Sequence, residues 1–224
     1  MDRATFDEKY RSRLERLSTT NLSDALDAVG ARGAVSGIRP MFDTRKLVGR
    51  AVTIKITAAG MVRSKQHLGV EAIASAEKGD IIVIDNHGDT TNNCWGEVLS
   101  CAAQVKGVSG VVVDGAARDI DICKEMGFPV YARAAVPITA RGRITQEAFN
   151  CLIRIGDVQV RPGDVLVADV NGIVVICPEQ LEQVVAKAEM LMDKEERMKA
   201  DLLAGMDVLE MDKKYNYEQM LSKS

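Results

Sequence analysis

Two short β-branched runs, Ile81-Ile-Val-Ile84 and Gly110-Val-Val-Val113, flank a helix-patterned segment, and that arrangement leaves few folds open to the chain. Runs apolar at every position read as strands buried on both faces. Between them Val98, Leu99, Ala102, Ala103 and Val105 recur at roughly helical spacing, and Gly107 ends the run. Strand, helix and strand make a right-handed βαβ crossover. Residues 92–129 thus read as a helix with Asn93 as its N-cap, a buried strand, a turn at Asp114-Gly115, and a second helix beginning near Arg118. Both helices then start at one sheet edge, beyond the carboxyl ends of the strands, where open α/β sheets bind ligands. Helix starts carry unpaired N–H groups and a positive dipole end, which suit a small carboxylate or phosphate. Glu97, Arg118 and Asp119 fall beside that edge. A cation next to two carboxylates points to a divalent metal with an anionic substrate. A plain capping and salt-bridge pair would use the same residues.

Residues 2–17 form an amphipathic helix pattern with Phe6, Tyr10, Leu14 and Leu17 on one stripe. Thr20 or Asn21 is the expected cap of a second helix over 22–29, whose apolar positions follow the i, i+3, i+4, i+7 rule. Residues 31–40 read as loop, and 47–57 alternate as a strand with one wet face. Residues 60–78 read as loop plus a short helix. The polar run 86–93 reads as a surface loop overhanging the ligand edge, from which His87 reaches a ligand or simply faces water. A third strand is expected at 130–132. Residues 133–143, with three arginines, line an anion pocket or form a solvated loop. Residues 158–160 alternate, 161–164 turn, and 165–169 and 173–176 are strands around Asn171-Gly172, a strong hairpin signal. A long helix is expected from 179 to about 203, closed by Gly205. One domain over 1–205, with a C-terminal arm over 206–224, is the simplest organisation.

The net charge of -3 advertises no nucleic-acid surface. No long apolar run is present, so a soluble cytoplasmic protein is expected. The five cysteines form no C-x-x-C pair and read as reduced thiols, mostly buried. His67 and His87 are the two histidines and have no partner at zinc-ligand spacing.

The segments W-G-E-V-L from Trp95, G-V-S-G-V-V-V-D-G-A-A-R-D from Gly107, F-P-V-Y-A-R from Phe128 and V-R-P-G-D-V-L-V-A-D-V-N-G-I-V-V-I from Val160 occur in this order. In this combination the chain resembles the RraA-like family of class II pyruvate aldolases, from about Leu17 to Gly205. That family contains the 4-hydroxy-4-methyl-2-oxoglutarate / 4-carboxy-4-hydroxy-2-oxoadipate aldolases and the regulators of ribonuclease E activity. The resemblance implies an α/β fold, a single layered domain with a central mixed sheet in an α/β/β/α sandwich, plus flanking N- and C-terminal helices. It implies a homotrimer or homohexamer with the active site at the subunit interface.

The resemblance also implies residue roles. Arg118 matches the arginine that binds the keto oxygen and carboxylate region of the substrate. Asp119 matches the ligand of Mg²⁺ or Mn²⁺. Gly96, Glu97, Val98 and Leu99 match the segment whose amides hold the pyruvate carboxylate, and Glu97 the acidic position that holds water on the metal. Glu195, or Glu196 almost equally, matches a glutamate delivered from the adjacent subunit. The chain departs from the family pattern at 86–93, at 149–157 and in a longer tail. The implied activity is metal-dependent cleavage of 4-hydroxy-2-oxo acids to pyruvate and a second keto acid, with an oxaloacetate decarboxylase side activity. A non-catalytic ribonuclease regulator and a lyase or decarboxylase acting on another keto or sugar acid are the alternatives.

Overall fold

The computed structural model describes residues 1–61 and 67–216. Near the amino terminus α1 (Arg3–Phe6), a π-helical segment (Asp7–Arg11) and α2 (Ser12–Arg16) run as one amphipathic rod, followed by α3 (Thr19–Ala28). The chain continues through β1 (Ala34–Val35), β2 (Arg39–Pro40), β3 (Leu47–Ala58), α4 (Val70–Ser75), β4 (Ile81–Asn93), α5 (Glu97–Lys106), β5 (Gly110–Ala117) and α6 (Ile120–Glu125). Next come β6 (Val130–Ala132), β7 (Ala134–Ala135), β8 (Ile144–Phe149), β9 (Ile153–Ile155), β10 (Val158–Val160), β11 (Val165–Asp169) and β12 (Gly172–Ile176). The long α7 (Leu181–Leu203) and the short α8 (Val208–Tyr215) complete the described chain. Among the described residues no helix is long and apolar enough to cross a membrane.

The main sheet is mixed, in the order β1-β12-β11-β3-β4-β5-β6-β2. Strands β3 to β6 are mutually parallel, and β11, β12, β1 and β2 join antiparallel. Strand alternation sorts the core into three clusters. Ile82, Ile84, Val111 and Val113 face α4, α5 and α6. Their neighbours Ile81, Val83 and Val112 face inward, where they meet Leu166, Ala168, Ile173 and Val175 of the antiparallel half and the β9–β10 hairpin. The opposite faces of β11 and β12, Val165, Val167, Val174 and Ile176, pack on α1 to α3 and α7. The layers are therefore helix, sheet, sheet, helix, the α/β/β/α sandwich implied by the resemblance. Arg13 ties the outer helices together through both oxygens of Glu189, at 2.8 and 2.7 Å.

Several local expectations are corrected. The strand expected at 47–57 has no wet face, because the segment around Cys151 and the β9–β10 hairpin cover its second side. Thr53 is wholly buried there and donates to the Cys151 carbonyl at 2.6 Å. The polar run 86–93 is not a surface loop but the second half of β4, paired with β5 through two register shifts. His87 and Gly88 take positive φ there, 55° and 72°, so the irregular strand accommodates a polar sequence. His87 hydrogen-bonds the Ile56 carbonyl at 2.8 Å and overhangs no cleft. Asp114-Gly115 does not turn but lies within β5. Helix α3 is capped by Ser18, with Asn21 at N3 returning the bond, rather than by Thr20 or Asn21. The loop expected at 31–40 holds the two short strands β1 and β2. Within the expected loop at 60–78 and the arm at 206–224, residues 62–66 and 217–224 lie outside the described residues.

Candidate functional site

The end of β5 builds the site by zippering to the segment before α5. Cys94 N–H donates to Ala116 O at 3.0 Å, and Arg118 N–H to Trp95 O at 2.9 Å. Trp95 is fully buried, stacks on Phe128 with ring centroids 6.4 Å apart, and donates its Nε1–H to Ser100 Oγ at 2.8 Å. These contacts fix the bend that sends the chain into α5.

Asn93 is not the N-cap of that helix. It ends β4, and Gly96 stands at the cap without a side-chain bond. The cap is supplied from 22 residues downstream, where Asp119 Oδ2 accepts the Glu97 N–H at 3.2 Å. The same oxygen lies 3.2 Å from Arg118 Nε. That contact is an ion pair rather than a linear hydrogen bond, because Arg118 Nε is buried without a hydrogen-bond partner. Asp119 reaches this position from a left-handed conformation (φ 54°, ψ 38°), which Asp tolerates better than most residues. Its carbonyl accepts from Cys123 N–H at 3.0 Å and so opens α6. A Cβ at position 96 would lie 2.6 Å from Asp119 Oδ2 and 3.2 Å from Arg118 Cγ, so glycine is required there for close approach.

Arg118, Asp119, Gly96, Glu97, Val98 and Leu99 all line one cleft of about 750 Å³. Every residue expected within one chain's site is therefore brought together. Glu195 is not in that lining; it accepts a hydrogen bond from Asn21 Nδ2 at 3.1 Å on the outer helical layer. The N–H groups of Val98 and Leu99 have no hydrogen-bond partner among the described residues, as expected for the first turn of a helix. The side-chain carboxylate of Glu97 and the second oxygen of Asp119 are likewise free of hydrogen bonds there. Of the arginine-rich segment 133–143, Thr139, Ala140 and Arg141 reach the cleft. Arg133 instead pairs with buried Asp114.

Sequence reasoning missed Asn93, His67 and Gln146 as lining residues. It also set Lys106 aside, which lines the cleft at the far end of α5. By helical rise Lys106 is about 13 Å from the helix start. Val98 and Val105, 73% and 86% exposed, flank Ala102 along the outer wall as an apolar stripe. Free Cys101 is exposed on the same helix, whereas Cys94 and Cys123 are buried and burial pushes their thiol pKa values up.

Fold and cleft together define an α/β protein suited to small anions, with its binding cleft outside the carboxyl ends of the parallel strands. Residues 19–175 match the model of the RraA-like family, described as Aldolase/RraA, and the chain belongs to that family. It is 36% identical over 181 residues to a Halalkalibacterium halodurans protein named "Putative 4-hydroxy-4-methyl-2-oxoglutarate aldolase", covering 80% of this chain and 82% of that one. It is 31% identical over 202 residues to protein DlpA of Legionella pneumophila, covering 90% of this chain but 33% of DlpA, so it spans about a third of that relative. Among solved structures, Streptomyces coelicolor RraAS2, an unusual member of the RNase ES inhibitor RraA protein family, superposes with a TM-score of 0.76. The identity is 25%, covering 84% of this chain and 94% of RraAS2.

Proposed function

We propose that the protein is a divalent-metal-dependent pyruvate aldolase. Its substrates are 4-hydroxy-2-oxo acids, 4-hydroxy-4-methyl-2-oxoglutarate or 4-carboxy-4-hydroxy-2-oxoadipate, cleaved to pyruvate and a second keto acid. The observation that carries this reading is the meeting of Arg118 and Asp119 with the amino end of α5 in one cleft. The similarity to the Halalkalibacterium protein supports the substrate class.

The donor set fits Mg²⁺ or Mn²⁺. Two carboxylates with oxygens open to a cleft, Asp119 and Glu97, suit a hard dication that keeps several waters. Among the described residues no group of three or more His, Cys, Asp or Glu converges on one point, so water and substrate would complete the shell around Asp119. When bound, the ion supplies Lewis-acid stabilisation of the charge on an enolate. The unpaired N–H groups of Val98 and Leu99 bind the C1 carboxylate. Arg118 faces the C2 keto oxygen with a fixed positive charge. Glu97, directly or through water, takes the proton of the C4 hydroxyl. The C3–C4 bond then breaks, C4 becomes the carbonyl carbon of the second keto acid, and the bonding pair forms the enolate of pyruvate. Protonation at C3 yields pyruvate. Loss of carbon dioxide from oxaloacetate gives the same enolate, so decarboxylation is the expected side activity.

The apolar stripe of Val98, Ala102 and Val105 supports a homotrimer or homohexamer, in which an adjacent subunit covers that wall and delivers Glu195 or Glu196. If so, inactive Asp119→Asn and Glu195→Gln variants regain activity when co-assembled, because some hybrid sites carry neither substitution. Failure of every mixture to recover turnover removes Glu195 from the site.

The deciding assay is a panel of keto acids with Mg²⁺ or with EDTA, pyruvate being followed through lactate dehydrogenase. Pyruvate release from a 4-hydroxy-2-oxo acid that stops with chelator is expected. Release from oxaloacetate alone makes the protein a decarboxylase. The similarity to RraAS2 favours a second reading, a non-catalytic regulator of a ribonuclease. That reading predicts no release from any acid and inhibition of ribonuclease activity.

A further inference from the structure

Three buried side-chain polar atoms among the described residues have no hydrogen-bond partner: Arg50 Nε, Arg118 Nε and Asn93 Oδ1. Two of them belong to residues that line the cleft. Folded proteins rarely leave a buried acceptor unpaired, so an orphan beside a cleft points to a partner that arrives with the ligand. Asn93 is 6% exposed and ends β4, opposite Ala116 and one strand residue from the Ala117-Arg118 exit of β5. Its backbone N–H is occupied by Ile138 O at 3.3 Å, so the carboxamide is the part left without a role in the fold.

The chemistry of the cleft narrows what that carboxamide receives. The corner already holds donors in excess, in Arg118 and the Val98 and Leu99 N–H groups. The carboxylate and keto oxygen of a 2-oxo acid are acceptors only and satisfy those donors. They offer nothing to an amide oxygen. The C4 hydroxyl is the one donor on a 4-hydroxy-2-oxo dicarboxylate. A half-turn about the Cβ–Cγ bond of Asn93 exchanges oxygen and nitrogen within the same volume, so the amide can present its acceptor to the cleft without repacking.

We infer that Asn93 accepts a hydrogen bond from the C4 hydroxyl of the substrate, and that it makes the cleft prefer hydroxylated over unhydroxylated keto acids. This assignment rests on the aldolase reading above. Asn93 holds the hydroxyl in one orientation while Glu97 takes its proton, so it is a substrate-binding residue that sets specificity.

The test is Asn93→Leu, close to isosteric and unable to accept or donate, with Asn93→Ala beside it. Each is assayed on 4-hydroxy-4-methyl-2-oxoglutarate and on oxaloacetate, which has no C4 hydroxyl. We expect kcat/KM for the hydroxy acid to fall about tenfold relative to that for oxaloacetate, the worth of one such bond. The Tm of Asn93→Leu should stay level or rise, because an unpaired buried acceptor is removed. A parallel fall on both acids, or a lowered Tm with the ratio unchanged, makes Asn93 structural and overturns the assignment alone. If the unaltered protein releases pyruvate from neither acid, the aldolase reading falls and the assignment falls with it.

Discussion

The chain contains two dipeptides that look alike and behave differently. Asn171-Gly172 makes the tight connection between β11 and β12, with Asp169 paired to Gly172 across it. Asp114-Gly115 runs straight through β5. At the hairpin every nearby polar group is satisfied within the fold: Asp169 accepts from Thr19 N–H at 2.8 Å, Thr19 Oγ1 at 2.6 Å and Asn171 N–H at 2.9 Å. At β5 the glycine serves a different need. A Cβ on Gly115 would lie 2.8 Å from Asn86 Nδ2 and 2.9 Å from Asp89 O, so only glycine lets the irregular end of β4 close against β5. Asp114 beside it is buried, accepting from Gly156 N–H at 2.8 Å and pairing with Arg133. A turn signal is thus a statement about backbone freedom, and the neighbours decide whether that freedom becomes a reversal or a close approach. The two ends also divide labour: the hairpin end keeps no group in reserve, whereas the β5 end leads into Arg118 and Asp119, whose polar atoms stay open to a ligand.

That division is tested first, and most strongly, by Asp119→Asn. The substitution suits the left-handed backbone but removes the charge. It should lower kcat/KM by about three powers of ten, roughly 4 kcal/mol of transition-state stabilisation, with Tm nearly unchanged. A variant that kept full turnover in EDTA would break the contrast at its functional end. Gly115→Ala comes next. Overpacking against Asn86 and Asp89 should cost about 1–3 kcal/mol of stability by chemical denaturation, well above the effect of Asn171→Ala. Equal losses at the two positions would mean that both glycines serve the same purpose.

The smallest expected effect is a pH dependence at the hairpin end. Burial alone would raise the Asp169 carboxyl, but the bonds from Thr19 and Asn171, with the charge of Lys46, outweigh it and hold the group below its ordinary value of 3.8. A depressed carboxyl contributes stability above that ordinary value and loses it as pH falls below it. Asp169→Asn should therefore flatten the acid side of a stability-against-pH curve and leave kcat/KM at neutral pH within about twofold. An unchanged acid slope would remove Asp169 from the account.

The layers were legible wherever local pattern and tertiary role agree. The β-branched runs at 81–84 and 110–113, the 165–176 hairpin and the long helix ending at Leu203 carry their periodicity openly. The cleft was legible only in part. Helix geometry placed Glu97 and Arg118 at one edge, but the roles of Gly96, Asp119 and Leu99 came from the resemblance. What stayed hidden depends on contacts distant in sequence. Nothing near Gly96 announces that its helix is capped by Asp119, or that Asn93 pairs with Ala116 rather than opening a helix. The sequence W-G-E lacks a small polar residue at the cap, and that gap was the available hint. The polar run at 86–93 misled because its side chains are satisfied within the sheet; Asp89 alone takes bonds from Thr91 and Asn92.

The uneven shielding of the thiols has a practical use. Cys101 faces water midway along the cleft wall, while Cys94 and Cys123 sit in the interior with their thiolates disfavoured. A maleimide dye at low stoichiometry should therefore couple to Cys101 ahead of both. It would place a fluorophore next to Val98 and Val105, where quenching on dilution or concentration reports subunit exchange without touching Arg118 or Asp119.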